Sequence, residues 1–446
     1  MAASKMSEFD VIIVGGGPAG AGAAIHLAAA GARVLVAEQK KFPRAKLCGE
    51  FISPECLEHF ARLGVLERMA RAGGSQVSET VFYAPSGRGL SVPSKWFGGG
   101  AQAALGLSRA EMDNNLLARA REAGASVVED AALAGVVVEG GSVRGVRLKV
   151  EGACESEYRA PVTIDATGRQ RVVTRRAERE LSRNRNGGAR AEAIEDEVVE
   201  GRGDEVSEGR GNGSSRETDA RNVDEPKARA RLVAFKAHLE GARGAARACE
   251  IYFYPGGYGG LSPVEGGASN LCFIARARDV RERGSDAERV MREVLMRNRR
   301  AAHTLEDARA STRWLGVSIE SFGRHEPAPF GGLLAVGDAA AFIDPFTGSG
   351  MLMALESGEL AARSVSGWLS QPERGVARFE SLARDYRDAY ARRFDARLRL
   401  CGLLRRAAFA PAQFAEVAVV ALGASERLRR RLARATRRST VADSRR

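Results

Sequence analysis

The stretch FDVIIVGGGPAGAGAAIHLAAAGARVLVAE, residues 9–38, decides the fold. Phe9 to Val14 is a short β-branched apolar run that ends on Gly15-Gly16-Gly17-Pro18-Ala19-Gly20. The alanine-rich stretch to about Ala30 reads as a helix closed by Gly31, and Arg33 to Ala37 reads as a second buried parallel strand ending on Glu38. Strand, glycine turn, helix and strand make a βαβ unit. A phosphate-binding turn needs glycine where the chain bends sharply, glycine where backbone touches pyrophosphate, and a small residue where helix meets strand. Gly15, Gly17 and Gly20 supply the three. The anion then rests on the helix N-terminus, where unpaired N–H groups favour negative charge. Glu38 stands about twenty residues beyond the glycines, where a carboxylate accepts ribose hydroxyls. An α/β dinucleotide-binding protein is expected, and the turn alone does not separate NAD from FAD.

A second segment makes that choice. GDAAAFIDPFTGSG, residues 337–350, follows the short apolar strand Leu333 to Val336 and resembles the flavin-contact motif of the aromatic-hydroxylase and geranylgeranyl-reductase superfamily, with its group A flavin monooxygenase-like fold. The resemblance implies FAD, with Asp338 on the ribityl chain and the Pro345 loop against the isoalloxazine ring. Gly348, Ser349 and Gly350 would then place N–H groups and a helix N-terminus at the pyrimidine end, where negative charge accumulates on reduction. Arg44-Ala45-Lys46-Leu47-Cys48-Gly49-Glu50-Phe51 looks like the family's K-x-C-G segment, and Leu107-Ser108-Arg109 with Asp113 looks like the helix whose arginine approaches the pyrophosphate. Arg44 and Arg109 are therefore cofactor candidates, and Cys48, Glu50 and Pro345 are flavin-facing catalytic candidates. Cys48 reads equally as a small buried apolar residue, and Glu50 as either a proton donor or an exposed carboxylate paired with Arg44 or Lys46. Asp165-Ala166-Thr167-Gly168 resembles the DG motif, which implies flavin contacts for Asp165 and Gly168. Arg171 replaces a serine of many relatives, a departure that bears on the pyridine-nucleotide role.

Length and composition bound the rest. A chain of 446 residues exceeds the size at which one core stops growing, so two packed domains are expected. Six cysteines without a CxxC pair and five histidines without ligand spacing indicate neither a metal site nor a disulfide framework, and a reducing cytoplasm is expected. The N-terminal residues carry no apolar signal region. The net charge of +12 is spread over arginines along most of the chain, so no nucleic-acid partner is read from it. The C-terminal stretch is the exception, because its arginine-flanked apolar run, Ala415 to Leu422, can lie against an anionic membrane although it is too short to span one.

The expected architecture is a two-dinucleotide-binding type FAD domain, Rossmann-like and discontinuous, with an interposed β-rich substrate domain and C-terminal helices. FAD-binding parts fall at 8–72, 101–174 and 325–372, substrate-domain parts at 73–100 and 231–324, and basic helices at 373–446. Residues 175–230, rich in Arg, Glu, Asp, Gly, Asn and Ser, read as a disordered insertion. Leu57 to Ala72 reads as one helix, and Ser108 with Glu111 as a capping box. Tyr252, Tyr254 and Tyr258, on an aromatic strand with a glycine loop, are candidates for lining an apolar pocket. That stretch partly resembles the Y-x-W-x-F-P segment of geranylgeranyl reductases, without its tryptophan, and the halogenase W-x-W-x-I-P signature is absent.

The resemblance implies a flavin reduced by a donor such as NADPH or NADH. The reading preferred from sequence is an NAD(P)H-dependent monooxygenase hydroxylating an apolar or aromatic small molecule, since the full prenyl-reductase pattern is missing. The alternatives are geranylgeranyl-reductase-like reduction of a prenyl double bond and a membrane-surface, electron-carrying flavoprotein.

Overall fold

The computed structural model describes residues 9–183, 232–371 and 376–437, apart from 99, 151, 153, 320–321 and 410–411. Val11–Val14 and Val34–Ala37 are four-residue strands buried throughout, as an apolar run covered on both faces requires. They lie in a five-stranded sheet, ordered Leu333–Ala335, Val162–Asp165, Val11–Val14, Val34–Ala37, Ser126–Val128. Its pairings are parallel, with Val14 opposite Asp165 and Asp165 opposite Ala335. Three strands therefore end at one edge, and the turns that follow them, at Gly15, Ala166 and Gly337, share the crevice where open parallel sheets hold ligands.

The helix Pro18–Ala29 starts on a proline whose fixed φ suits the first helical turn, and Gly31 leaves it at φ +86°. Its buried residues are mostly Ala and Gly, which lets the Gly350–Leu369 helix approach closely. A Cβ on Gly358 of that helix would sit 2.3 Å from the Ala19 carbonyl oxygen.

The second unit is an eight-stranded sheet that places Leu232–Glu240, Ser269–Arg276, Gly257–Pro263, Ala248–Tyr254, Glu79–Tyr83 and Gly89–Pro93 side by side. Alternation divides its residues. Phe235, Ala237, Tyr252, Tyr254 and Phe273 pack beneath Val290, Met291 and Leu295. Leu232, Ala234, Tyr258 and Ile274 form a separate cluster with Phe253, Phe342 and Phe346 on the face turned to the flavin-type unit.

Three expectations change. The helix expected over Leu57 to Ala72 is two helices, Pro54–Leu63 and Leu66–Arg71, because Gly64 adopts φ +71° as a left-handed cap. Ser108 accepts from the Glu111 N–H at 3.2 Å, yet its own N–H donates to Glu265 and not to Glu111, so the box is half formed. The segment expected to be unstructured from 175 begins as helix: residues 172–183 are helical, with Val173, Ala177 and Leu181 buried at four-residue spacing. The remainder of that insertion lies outside the described residues.

Two glycines of one helix give a test of the packing. Gly358→Ala forces backbone apart and is expected to cost about 1–3 kcal/mol in urea denaturation. Gly367→Ala, with no atom within 4 Å of the added carbon, is expected to gain about 0.5–1 kcal/mol from helix propensity. Equal effects would contradict the close approach.

Candidate functional site

The glycine turn is built by exclusion. A Cβ on Gly15 would lie 2.3 Å from the Ala166 carbonyl oxygen and one on Gly20 would lie 2.0 Å from the Gly15 carbonyl oxygen, so strand, turn and helix close only with glycine at both. Gly17 differs: its added carbon would meet only Arg109 Nη2, at 3.8 Å. The protein leaves that backbone open on the side Arg109 faces. Glu38, nearly buried, accepts from the Gly16 N–H at 2.8 Å and the Lys40 N–H at 3.0 Å, bracing the turn from the end of the second strand.

Two arginines and a lysine gather beside the turn around one buried carboxylate. Asp113, with no exposed surface, accepts from Arg109 Nε at 2.8 Å, Arg109 Nη2 at 2.7 Å and Arg44 Nη1 at 3.2 Å. Arg109 stays firmly protonated: desolvation opposes its charge, and the Asp113 carboxylate outweighs it. Lys46, exposed overall, is pushed down by desolvation and by the charges of Arg109 and Arg44, with Asp338 and Glu38 offsetting part of this. Burial pushes the Asp338 carboxyl up against the pull of Arg109, Lys46 and Arg169, and among the described residues it takes no hydrogen bond. Crowded cations beside an open glycine backbone fit a pyrophosphate, and a carboxylate without a donor fits a hydroxylated chain.

Asp165 needs correcting as a direct contact. Its Oδ1 accepts from the Thr167 N–H at 3.0 Å and hydroxyl at 2.5 Å, and its Oδ2 accepts from the Thr174 N–H at 3.0 Å and hydroxyl at 2.7 Å. With no exposed surface, it folds the loop instead. Gly168 supplies φ +73° to that loop, with open space where a side chain would stand.

At the other end, Asp344 caps the turn Pro345–Thr347 and Gly348 leaves it at φ +59°. The Gly348 N–H closes this turn onto the Pro345 carbonyl at 2.9 Å, so it is not free in the way the sequence reading expects. Ser349 is buried, its hydroxyl 2.8 Å from that of Thr347, and Gly350 opens the long helix with nothing within 4 Å of an added Cβ. Arg437, buried at the far end of the chain, donates to the Thr347 carbonyl at 2.9 Å and the Gly348 carbonyl at 3.2 Å.

Glu50 is neither exposed nor paired with Arg44 or Lys46. It has no exposed surface and a left-handed φ of +53°, and it accepts from Lys236 Nζ at 2.6 Å, His238 Nε2 at 2.6 Å and the Arg109 N–H at 2.9 Å. Burial favours the neutral acid, but the His238 hydrogen bond and the Lys236 charge win and hold the carboxyl below its ordinary range. A carboxylate so held is an anchor between the two units, not the proton donor considered from sequence. Cys48 lies against the Arg109 guanidinium, and its carbonyl accepts from Asn270 Nδ2 at 3.0 Å.

The pocket tyrosines divide by strand alternation. Tyr258 faces the flavin-type unit, its ring 5.5 Å from that of Phe346. Tyr252 and Tyr254 belong to the opposite core, with hydroxyls donating to Glu250 at 2.7 Å and the Ile274 carbonyl at 2.9 Å. Phe253, between them, faces the other way, its ring 5.6 Å from that of Phe346. Lys236, His238, Arg437 and Phe253 were missed. A lysine inside an otherwise apolar strand was the available signal for the first, and period two was the signal for the last.

The glycine turn, the cation cluster and the loop that follows the Leu333–Ala335 strand define a dinucleotide-binding protein of the two-dinucleotide-binding architecture. Residues 8–194 match the sequence family described as FAD binding domain. The chain is 27% identical over 388 residues to digeranylgeranylglycerophospholipid reductase 2 of Methanopyrus kandleri, covering 87% of this chain and 83% of that protein. Among solved structures, the flavin-dependent brominase Bmp2 superposes with a TM-score of 0.71 at 18% identity, covering 96% and 94% of the two chains. A geranylgeranyl bacteriochlorophyll reductase-like protein from Thermoplasma acidophilum gives 0.70 at 19% identity, covering 93% and 91%. The chain belongs to the FAD-dependent oxidoreductases of the aromatic-hydroxylase and geranylgeranyl-reductase superfamily.

Gly17→Val separates folding from cofactor contact. Gly17 has ordinary φ and open space on its Cβ side, so the apoprotein is expected to melt within a few degrees of wild type while the purified protein loses its yellow absorbance. Full absorbance in the variant would refute backbone contact at this residue.

Proposed function

We propose that this oxidoreductase reduces carbon–carbon double bonds in the prenyl chain of a lipid. The observation that carries the reading is the match, over 87% of this chain and 83% of the relative, to a protein named as a digeranylgeranylglycerophospholipid reductase. The site supports it chemically, because the half-buried Phe253 and Phe346, backed by the buried Tyr258, form an aromatic cluster next to Pro345 that suits an apolar isoprenoid. FAD, when bound, supplies the hydride. Gly17, Arg109, Arg44 and Lys46 would hold its pyrophosphate, Asp338 its ribityl hydroxyls, and the Pro345–Gly350 loop its ring. Lys236 and His238, through Glu50, fix the sheet over the cleft, and the aromatic wall excludes water. NADPH or NADH is the proposed electron source.

The C-terminal helices supply the place for lipid exchange. The helix Ala412–Gly423 is apolar nearly all round. One side seats Val419 against Ala84 and Leu90, and Glu416 accepts from the Ser86 hydroxyl at 2.8 Å. The other side exposes Phe414, Val417 and Val420 by 63%, 65% and 50%, and Leu428 on the following helix is 45% exposed beside Arg427, Arg430 and Arg431. Apolar residues among arginines match an anionic bilayer surface. Among the described residues no helix is long and apolar enough to cross a membrane.

Chemically reduced protein mixed anaerobically with a digeranylgeranyl lipid is expected to regain oxidised-flavin absorbance as the lipid gains two hydrogens per double bond. Unchanged lipid, with a hydroxylated product appearing only once air is admitted, would favour the monooxygenase reading; no product in either case would favour the electron carrier. Separately, co-sedimentation with vesicles rich in anionic lipid is expected to fall about tenfold or more when Phe414, Val417 and Val420 are together changed to serine, about 1.4 kcal/mol being a factor of ten. Equal binding would rule out this surface.

A further inference from the structure

Reduction of an isolated double bond needs a proton as well as a hydride; Glu50 is held as an anion, and Asp338 is assigned to the ribityl chain. Asp344 is a buried carboxyl of another kind. It precedes Pro345, is 3% exposed, and lines a cavity of about 380 Å³ together with Phe322, Phe342, Ile343, Leu398 and Arg405. Its Oδ1 accepts from the Tyr258 hydroxyl and, at 3.0 Å, from the Phe346 N–H. Its Oδ2 is buried and, among the described residues, takes no hydrogen bond, with Arg405 Nε 3.4 Å away.

Resting on the reduction reading above, we propose that Asp344 is the catalytic acid: protonated at Oδ2, it delivers the proton that the double bond takes up with the hydride. The balance closes. The π pair of the alkene forms a C–H bond with the Asp344 proton, and the hydride from the reduced flavin forms the second C–H bond. The lipid is reduced by two electrons as the flavin is oxidised by two. The carboxylate left behind is stabilised by Tyr258, the Phe346 N–H and Arg405 until water restores its proton.

The surroundings suit a carboxyl that changes state. Burial pushes the Asp344 carboxyl up from its ordinary range, while the Tyr258 and Phe346 hydrogen bonds and the Arg405 charge pull it down. Other charged groups facing the cavity are Arg324 and Asp395, paired at 2.6 Å, and Arg399. Tyr258, fully buried, stays neutral far above the physiological range because burial and the Asp344 charge both disfavour its anion. Within the Tyr258–Asp344 pair the carboxyl is therefore the group that changes state. The cavity brings that acid to an apolar wall, where Phe322 and Phe342 stack at 4.9 Å and Arg405 covers Phe322 at 4.2 Å.

The test combines a spectroscopic and a kinetic readout on the full chain. In infrared difference spectra, a protonated-carboxyl band is expected in wild type and absent from Asp344→Asn, with a midpoint above the value of about 3.9 for an exposed aspartate. A midpoint at or below that value, or a band that survives the substitution, overturns the proposal whatever the substrate. In anaerobic single turnovers of reduced protein with the prenyl lipid, Asp344→Asn is expected to slow the reaction at least about 100-fold, with flavin absorbance retained. The wild-type rate is expected to be highest below the infrared midpoint and to fall as pH rises through it. That limb should vanish in Asp344→Asn and return in Asp344→Glu. A variant as fast as wild type, with the same pH profile, overturns the proposal alone; a wild type that leaves the lipid unchanged overturns the reduction reading and the proposal together.

Discussion

The buried charge of Glu50 sets the geometry of the cleft. Taking a carboxylate fully out of water costs several kcal/mol, and the cost is recovered only if donors meet it in good geometry. Here they come from two separate parts of the fold: Lys236 and His238 from the large sheet, and the Arg109 N–H from the helix behind the phosphate turn. The compensation is complete only when the sheet lies over the flavin-type unit in one register. Sliding the Leu232–Glu240 strand by a single residue would turn both side chains to the opposite face and leave the charge alone. The same register puts Asn270 onto the Cys48 carbonyl and turns Phe253 and Tyr258 toward Phe346.

This dependence explains what could be read from the chain. The glycine turn was legible because its requirements are local: Gly15 and Gly20 are excluded from carrying a side chain by atoms of the same crossover. Arg109 and Asp113 were legible for a related reason, being one helical turn apart. Glu50 was noticed and misjudged, since its partners lie 186 and 188 residues away and nothing near it announces them. Asp165 shows the converse. Its neighbours suggested a cofactor contact, while Thr174, nine residues on, had already taken its second oxygen. Tyr252 and Tyr254 illustrate a plain rule not followed far enough, because adjacent residues of a strand cannot share a face, and the intervening phenylalanine holds the position assigned to its neighbours.

Charge counting was equally ambiguous until burial divided the arginines. Arg397 is 1% exposed and donates to Glu356 at 2.7 Å and to the Arg437 carbonyl at 2.6 Å, so both of these C-terminal arginines belong to the interior. Those of the helix Glu426–Ala435 divide by face. Arg429 donates to the Ser91 carbonyl at 3.0 Å and lies over Trp96, whereas Arg427, Arg430, Arg431 and Arg434 are exposed. The net charge of +12 is thus a sum of structural and surface contributions, and only the latter bear on a partner.

The buried set also ties the two ends of the reading together. Glu356 stands on the helix that begins at Gly350, Arg397 links it to Arg437, and Arg437 reaches the carbonyls of Thr347 and Gly348. A peptide unit is planar and its C=O and N–H point in opposite directions. Holding the Gly348 carbonyl on a guanidinium therefore turns the Ser349 N–H away from it. Arg437 follows directly on the helix Glu426–Ala435, so the seating of that helix and the orientation of the loop beside Pro345 are joined through one buried side chain.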